Sequence, residues 1–332
     1  MTGTGIKSNG GSMAKANGTG IDTVPRLHAL IFGAAVLLAW ANLPPPAYGS
    51  DTAQQTFTSP EQAVDALVAA TGNNDAASLK KILGPDSEQL VNSGDPVADK
   101  EWRAKFTATY AKNHKLEKAD GGKIVLAVGK EEWPFPIPLV QQDQSWRFDT
   151  QTGEEEILAR RIGRNELSAI EVCRAFADAQ YDYASEDRNG TGYVEYAQKI
   201  VSSPGKHDGL YWDSAPDDES PIGPLMASAR AEGYDANDTQ SERAPYHGYY
   251  YKILTRQGEH ASGGARDYIV KGHMIGGFAT VAFPATYGDS GVMTFIVNQD
   301  GVVYEKNLGP DTAQTAGQMT EFDPDPSWTK SP

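Results

Sequence analysis

EEEILARRIGRNELSAIEVCRAFADAQYDYA, residues 154–184, runs without a proline and with one glycine, Gly163. Leu167, Ile170, Cys173, Ala177, Tyr181 and Ala184 recur in it at intervals of three and four. That spacing predicts one long amphipathic helix starting at Gly153, with those residues as its buried stripe and Asn165 as an internal cap. Downstream the period changes to that of strands: YHGYYYKILT (246–255), RDYIV (266–270), HMIGGFATVAFP (273–284), GVMTFIVN (291–298) and GVVYEKNL (301–308). Lys271-Gly272 and Asp300-Gly301 mark turns between them. Short connections in this order predict an antiparallel meander packed on the long helix.

Upstream, three helices are expected. Ser59, Pro60 and Gln62 form a capping-box pattern ahead of Ala63, Val64, Leu67 and Val68. A second helix runs from Asp75 to Gly84-Pro85 with Leu79, Ile82 and Leu83 inward. A third starts at Asp95-Pro96, and its Trp102, Phe106 and Tyr110 read as a core stripe. KIVLAVG (123–129), FPIPLVQQ (135–142) and SWRFDT (145–150) then read as strands, the middle one placed at an edge or bulge by Pro136 and Pro138, with Pro134 just before it. The fold class is therefore α+β.

The chain of 332 residues carries 29 basic and 44 acidic side chains, a formal charge of −15, and one cysteine. Nucleic-acid binding draws on Lys and Arg to displace counterions, so this balance argues against it. One cysteine makes no internal disulfide, Cys-based zinc cage or iron–sulfur cluster. At the start, Lys7, Lys15 and Arg26 precede ALIFGAAVLLAWA (29–41), too short to span a bilayer but suited to a signal-peptide core. Ala47-Tyr48-Gly49 offers the small residues of a cleavage site, so residues 1–49 are expected to be a signal peptide, with Met1 or Met13 as initiator. No other segment approaches membrane-spanning length. The expected organisation is the leader, an α+β domain over 54–152, a second over 153–322, and a tail over 323–332.

Several resemblances accompany these patterns. Three helices followed by an antiparallel sheet over residues 57–150 resemble the nuclear-transport-factor-2-like (cystatin-like) cone. NELSAIEVCRAFADAQYDYA with the strands after it is similar to the head of type IV pilin-like and pseudopilin proteins, although the charged EEEILARRIGR stands where those proteins have an apolar membrane-spanning half-helix. FTSPEQAVDALVAA, SGDPVADKEWRAKF, EEWPFPIPLV, PGKHDGLYW, SPIGPL, PYHGYYYKILT and MIGGFATVAFPATYGDSGVMTFIVN together resemble the bacterial exported family of domain of unknown function 2950, over residues 57–328. That resemblance implies export and no assigned activity, so it carries over no functional residues.

Two loops offer chemistry. In DRNGTGYVEYAQ, Asp187, Asn189, Thr191, Gly192, Tyr193 and Glu195 occupy positions 1, 3, 5, 6, 7 and 9 of a calcium loop, while Gln198 stands where a bidentate carboxylate would complete it. The other reading is an Asn-Gly turn capped by its own Asp and Asn. In PGKHDGLYWD, Lys206, His207, Asp208, Tyr211 and Trp212 gather charges and flat aromatic faces, which suits carbohydrate or peptide-end recognition, or else a structured loop sealing the core. GDSG (288–291) shares letters with a serine-protease motif, but no histidine stands in that context and a hairpin turn explains it. The histidines show no metal-binding spacing. The sequence thus favours an exported, periplasmic or secreted, non-catalytic module that binds or assembles with an envelope protein or cell-wall glycan, with calcium as its one candidate cofactor. The alternative is a periplasmic hydrolase acting on an envelope polymer through His207, Asp208 or a carboxylate of the first domain.

Overall fold

A computed structural model describes residues 53–213, 218–234 and 245–332. The expected signal peptide and its cleavage site, and residues 214–217 within the acid-rich stretch DSAPDDES (213–220), lie outside the described residues.

Helix starts follow their local caps. Helix α1 (Pro60–Gly72) begins after Ser59, whose Oγ accepts the Gln62 N–H. The reciprocal half of the capping box is not made, because Gln62 Oε1 instead accepts from the Thr58 hydroxyl at 2.7 Å. Asp75 caps α2 (Ala76–Leu83); a short α3 (Glu88–Val91) follows, and Asp95 caps α4 (Pro96–Lys112) through the Ala98 N–H. Strands β1 (His114–Lys118), β2 (Ile124–Val128), β3 (Trp133–Pro134), β4 (Leu139–Gln142) and β5 (Ser145–Phe148) pair antiparallel in the order β1-β2-β4-β5, with β3 also on β2. The stretch expected at an edge is interior: β4 starts only after Pro138 and is hydrogen-bonded between β2 and β5. Proline's missing N–H shortened the strand without moving it outward. Val64, Leu67, Ile82, Leu126, Leu139 and Phe148 form the core of this half, with Phe106 and Tyr110 packed against it. Trp102 departs from the expected stripe. It is half-buried beneath the Lys105 ammonium and the Arg164 guanidinium, 4.4 and 4.0 Å from its ring centre.

Helix α5 (Thr150–Tyr183) is 34 residues long, about 51 Å at ~1.5 Å per residue. Its buried face holds Ala169, Ile170, Cys173, Phe176, Ala177 and Tyr183. Leu167 and Tyr181, expected in the stripe, are 62% and 51% exposed. Leu167 lies about 120° round the helix from Cys173 at ~100° per residue, so it faces away. Asn165 is no cap either; it is buried mid-helix and its Nδ2 donates to the Ser290 carbonyl at 2.8 Å. Gly153 permits a close approach at the start of the helix, since a Cβ there would stand 2.6 Å from the Pro136 carbonyl oxygen.

After α6 (Gly223–Glu232) come β6 (Tyr249–Leu254) and the short strands β7 (Arg256–Gln257), β8 (Arg266–Asp267), β9 (Ile269–Val270) and β10 (His273–Met274). Then follow β11 (Ala279–Pro284), β12 (Met293–Asn298), β13 (Tyr304–Asn307), α7 (Thr312–Gln318), β14 (Glu321–Phe322) and β15 (Thr329–Lys330). The main sheet has the order β15-β13-β12-β11-β6, every pair antiparallel, which is the expected meander. Every residue of β11 is buried, with α5 and α7 both packed on this strand. The last residues, expected as a tail, supply the edge strand β15. Lys271 and Gly272, both at positive φ, make the two-residue turn from β9 to β10.

Cys173 is 0% exposed, and burial pushes its thiol up to about 12. A thiol reagent at pH 8 is therefore expected to label the native protein at less than about one hundredth of the rate of the urea-unfolded chain. Equal rates would show that this face of α5 opens to solvent.

Candidate functional site

The chain leaving α5 turns at once into the calcium-loop pattern. Asp187 holds the turn: its Oδ1 accepts the Thr191 N–H at 3.0 Å and its Oδ2 the Gly192 N–H at 2.7 Å. The Gly192 N–H above all, with those of Thr191 and Gly190, holds the Asp187 carboxyl below its ordinary range. Gly190 and Gly192 take positive φ of 63° and 83°, which lets the backbone fold round the carboxylate. Glu195 is 6% exposed, and its Oε1 lies 3.3 Å from both Asn189 Nδ2 and Thr191 Oγ1. Thr191 Oγ1 is in turn 3.5 Å from Asp187 Oδ1. Polar atoms from positions 1, 3, 5 and 9 thus adjoin one another, and the Tyr193 ring lies 4.3 Å from that of His273. His273 Nδ1 is 3.2 Å from Glu195 Oε2, tying the loop to the β9–β10 hairpin. Gln198 turns away, donating to the Gly272 carbonyl.

The second loop is pinned from inside. Tyr183, at the end of α5, donates its hydroxyl to the His207 carbonyl at 2.6 Å. Tyr211 and Trp212 are 5% and 6% exposed and belong to the core. Most of the area of both rings is spent on packing, as in a structured loop that seals the core. His207 stacks on Trp212 at 4.3 Å, and its Nε2 is 3.2 Å from Asp218 rather than Asp208. Burial alone would raise the Asp208 carboxyl, but hydrogen bonds from Lys199 and Ser203 overcome this and hold it at about 2. Lys206 is exposed, and its backbone N–H closes the turn on the Ser203 carbonyl. The five residues therefore share one loop without converging on one point.

A family model described as a protein of unknown function, DUF2950, matches residues 54–331, across both apolar cores. The chain belongs to the DUF2950 family. No curated protein and no solved structure matches it, so the likenesses to the transport-factor cone and to pilin heads stay likenesses of pattern.

In this DUF2950 protein the GDSG stretch makes a turn into β12. Gly288 N–H donates to the Gly291 carbonyl, and the Ser290 hydroxyl is bonded to both the N–H and the carbonyl of Thr286. Asp289 forms a buried pair with Arg161 of α5. Among the described residues no helix is long and apolar enough to cross a membrane, and no three His, Cys, Asp or Glu side chains gather to hold a metal ion. The partnerships that sequence reading missed are His207 with Asp218 and Glu195 with His273. The first lay within reach, since the acidic run follows the loop directly; the second joins residues 78 apart and left no local signal.

Proposed function

We propose that this DUF2950 chain is an exported, non-catalytic envelope module that binds or assembles with an envelope protein or cell-wall glycan, and that calcium in the Asp187–Glu195 loop clamps the end of α5 to the β9–β10 hairpin. The observation carrying the calcium reading is the spacing of the loop's polar atoms. Oxygens at ~2.4 Å from a cation and at right angles to each other stand ~3.4 Å apart, the kind of edge a calcium shell presents. Thr191 Oγ1 lies at 3.5 and 3.3 Å from Asp187 Oδ1 and Glu195 Oε1, which fits two such edges. The donors would be Asp187, Asn189 through its amide oxygen after a flip of the side chain, Thr191, the Tyr193 carbonyl and Glu195. All are hard oxygens, which suit calcium better than a transition metal.

Gln198 in place of a twelfth-position carboxylate leaves the shell short of its usual six to eight ligands, so affinity in the extracellular range of ~10⁻⁴ to 10⁻³ M is expected. The non-catalytic reading is supported by what the reactive side chains do: Ser290 is tied to Thr286, Cys173 is buried, and His207 is stacked on Trp212. Leader and net acidity support export. Titration calorimetry with calcium chloride should give one site in that range, weakened at least about tenfold in Asp187→Asn, which keeps an acceptor for the turn but loses the charge. No heat at millimolar calcium would refute the clamp.

A further inference from the structure

Beside the aromatic loop, Tyr211, Asp213, Glu219, Ser220, Gly223 and Arg230 line an open cavity of about 250 Å³. At ~30 Å³ per water this is room for about eight waters, or for one sugar ring with its substituents. Ser220 gives the cavity its chemistry. The residue is 1% exposed, yet its Oγ has no hydrogen-bond partner. A buried hydroxyl is normally paired, because an unpaired one has lost its water and gained nothing in exchange. Beside it is Gly223, the first residue of α6, where a Cβ would stand 3.1 Å from Oγ and crowd the hydroxyl. No side chain caps this helix start.

Carboxylates make up much of the remaining wall. Asp213 Oδ1 accepts from the Tyr211 hydroxyl at 2.9 Å and from Arg230 Nη2 at 3.0 Å, which orients the carboxylate and offsets the arginine's charge. The Glu219 carboxylate is close by, with Oε1 4.0 Å from where a Gly223 Cβ would be. An anion would be repelled by these two acids. A purely apolar ligand would leave the Ser220 hydroxyl unpaired. A ligand rich in hydroxyl groups fits, since its O–H groups donate to carboxylates and both donate to and accept from serine.

We propose that this cavity holds one saccharide unit, gripped by Ser220, Asp213 and Glu219. The assignment rests on the reading of the chain as an envelope-binding module and gives that module its ligand. Saturation-transfer NMR on the full chain with glucose, N-acetylglucosamine and chitotetraose tests it. Signal transfer at millimolar sugar is expected: from the monosaccharides if a free unit suffices, from chitotetraose alone if the source is a glycan chain. Ser220→Ala should weaken binding about 3- to 10-fold while the melting temperature stays level or rises, a combination that a merely structural serine would not produce. Ala227→Trp, on the cavity lining, should abolish the signal. No transfer from any of the three sugars, or unchanged binding in both variants, would overturn the proposal. Such a failure accompanied by normal calcium heats would leave the calcium clamp standing.

Discussion

Replacing Arg161 by alanine is expected to destabilise the protein by about 3–5 kcal/mol, read as a fall in the urea midpoint at unchanged slope. Arg161 sits where the two halves of the chain meet. Its guanidinium donates to Asp289 in the turn before β12 and to the Gln89 and Leu90 carbonyls at 2.6 and 2.8 Å, one in α3 and the other beside it in the same helix. Both charged side chains are nearly closed to solvent, at 10% and 4% exposure. Burial raises the Asp289 carboxyl and Arg161 offsets this only in part, so the pair is costly to form and more costly to break. Alanine at 161 would strand a buried carboxylate and two carbonyls together. Asp289→Asn should cost clearly less, about 1–2 kcal/mol, because the arginine keeps both carbonyls and the amide oxygen can still accept. The reverse order of the two variants would show that the joint does not work this way.

Phe278→Ala should cost a similar amount, about 3–5 kcal/mol, while Phe278→Leu should cost under half of that. The ring is 0% exposed and meets Phe176, Tyr181 and Tyr196 edge-on, with centroids 6.0, 5.4 and 4.8 Å away. Two of these rings come from α5, and the third follows Glu195 directly in sequence. Phe278 thus seats the helix on the meander and holds the exit of the Asp187–Glu195 loop at once. The alanine variant is expected to lose calcium affinity along with stability, although no ligand is touched; a variant that lost stability but bound calcium as before would separate the loop from this seat.

Legibility in the sequence followed the range of the interactions. Caps are local, so Ser59, Asp75 and Asp95 could be read directly, as could the Lys271-Gly272 turn and the order of the meander. The existence of α5 was plain, but the identity of its buried face was not: a helix that packs on a sheet along one side and meets α3 near Arg161 has no single simple stripe, and Leu167 and Tyr181 fell outside it. Asn165 reads as a cap because asparagine usually is one, yet it is held by Ser290, 125 residues away. Trp102 reads as core because tryptophan usually is, yet two cations claim its ring. At the candidate site, the Asp187 turn was written in a dozen consecutive residues and could be read. The unpaired hydroxyl of Ser220 could not, because an absent partner leaves no trace in sequence.

The melting midpoint of residues 50–332 in calcium tests the proposed clamp most directly. With a dissociation constant near 0.5 mM, 5 mM calcium should stabilise the native state by about 1.4 kcal/mol, a rise of roughly 2–3 °C for a chain of this size. Magnesium at the same concentration should do little, because its small octahedral shell fits a loose oxygen loop poorly. Asp187→Asn, weakened at least about tenfold, should keep no more than about 0.4 kcal/mol of this, a shift of about 1 °C or less. A wild-type midpoint that is the same in 5 mM calcium and in chelator would contradict the account.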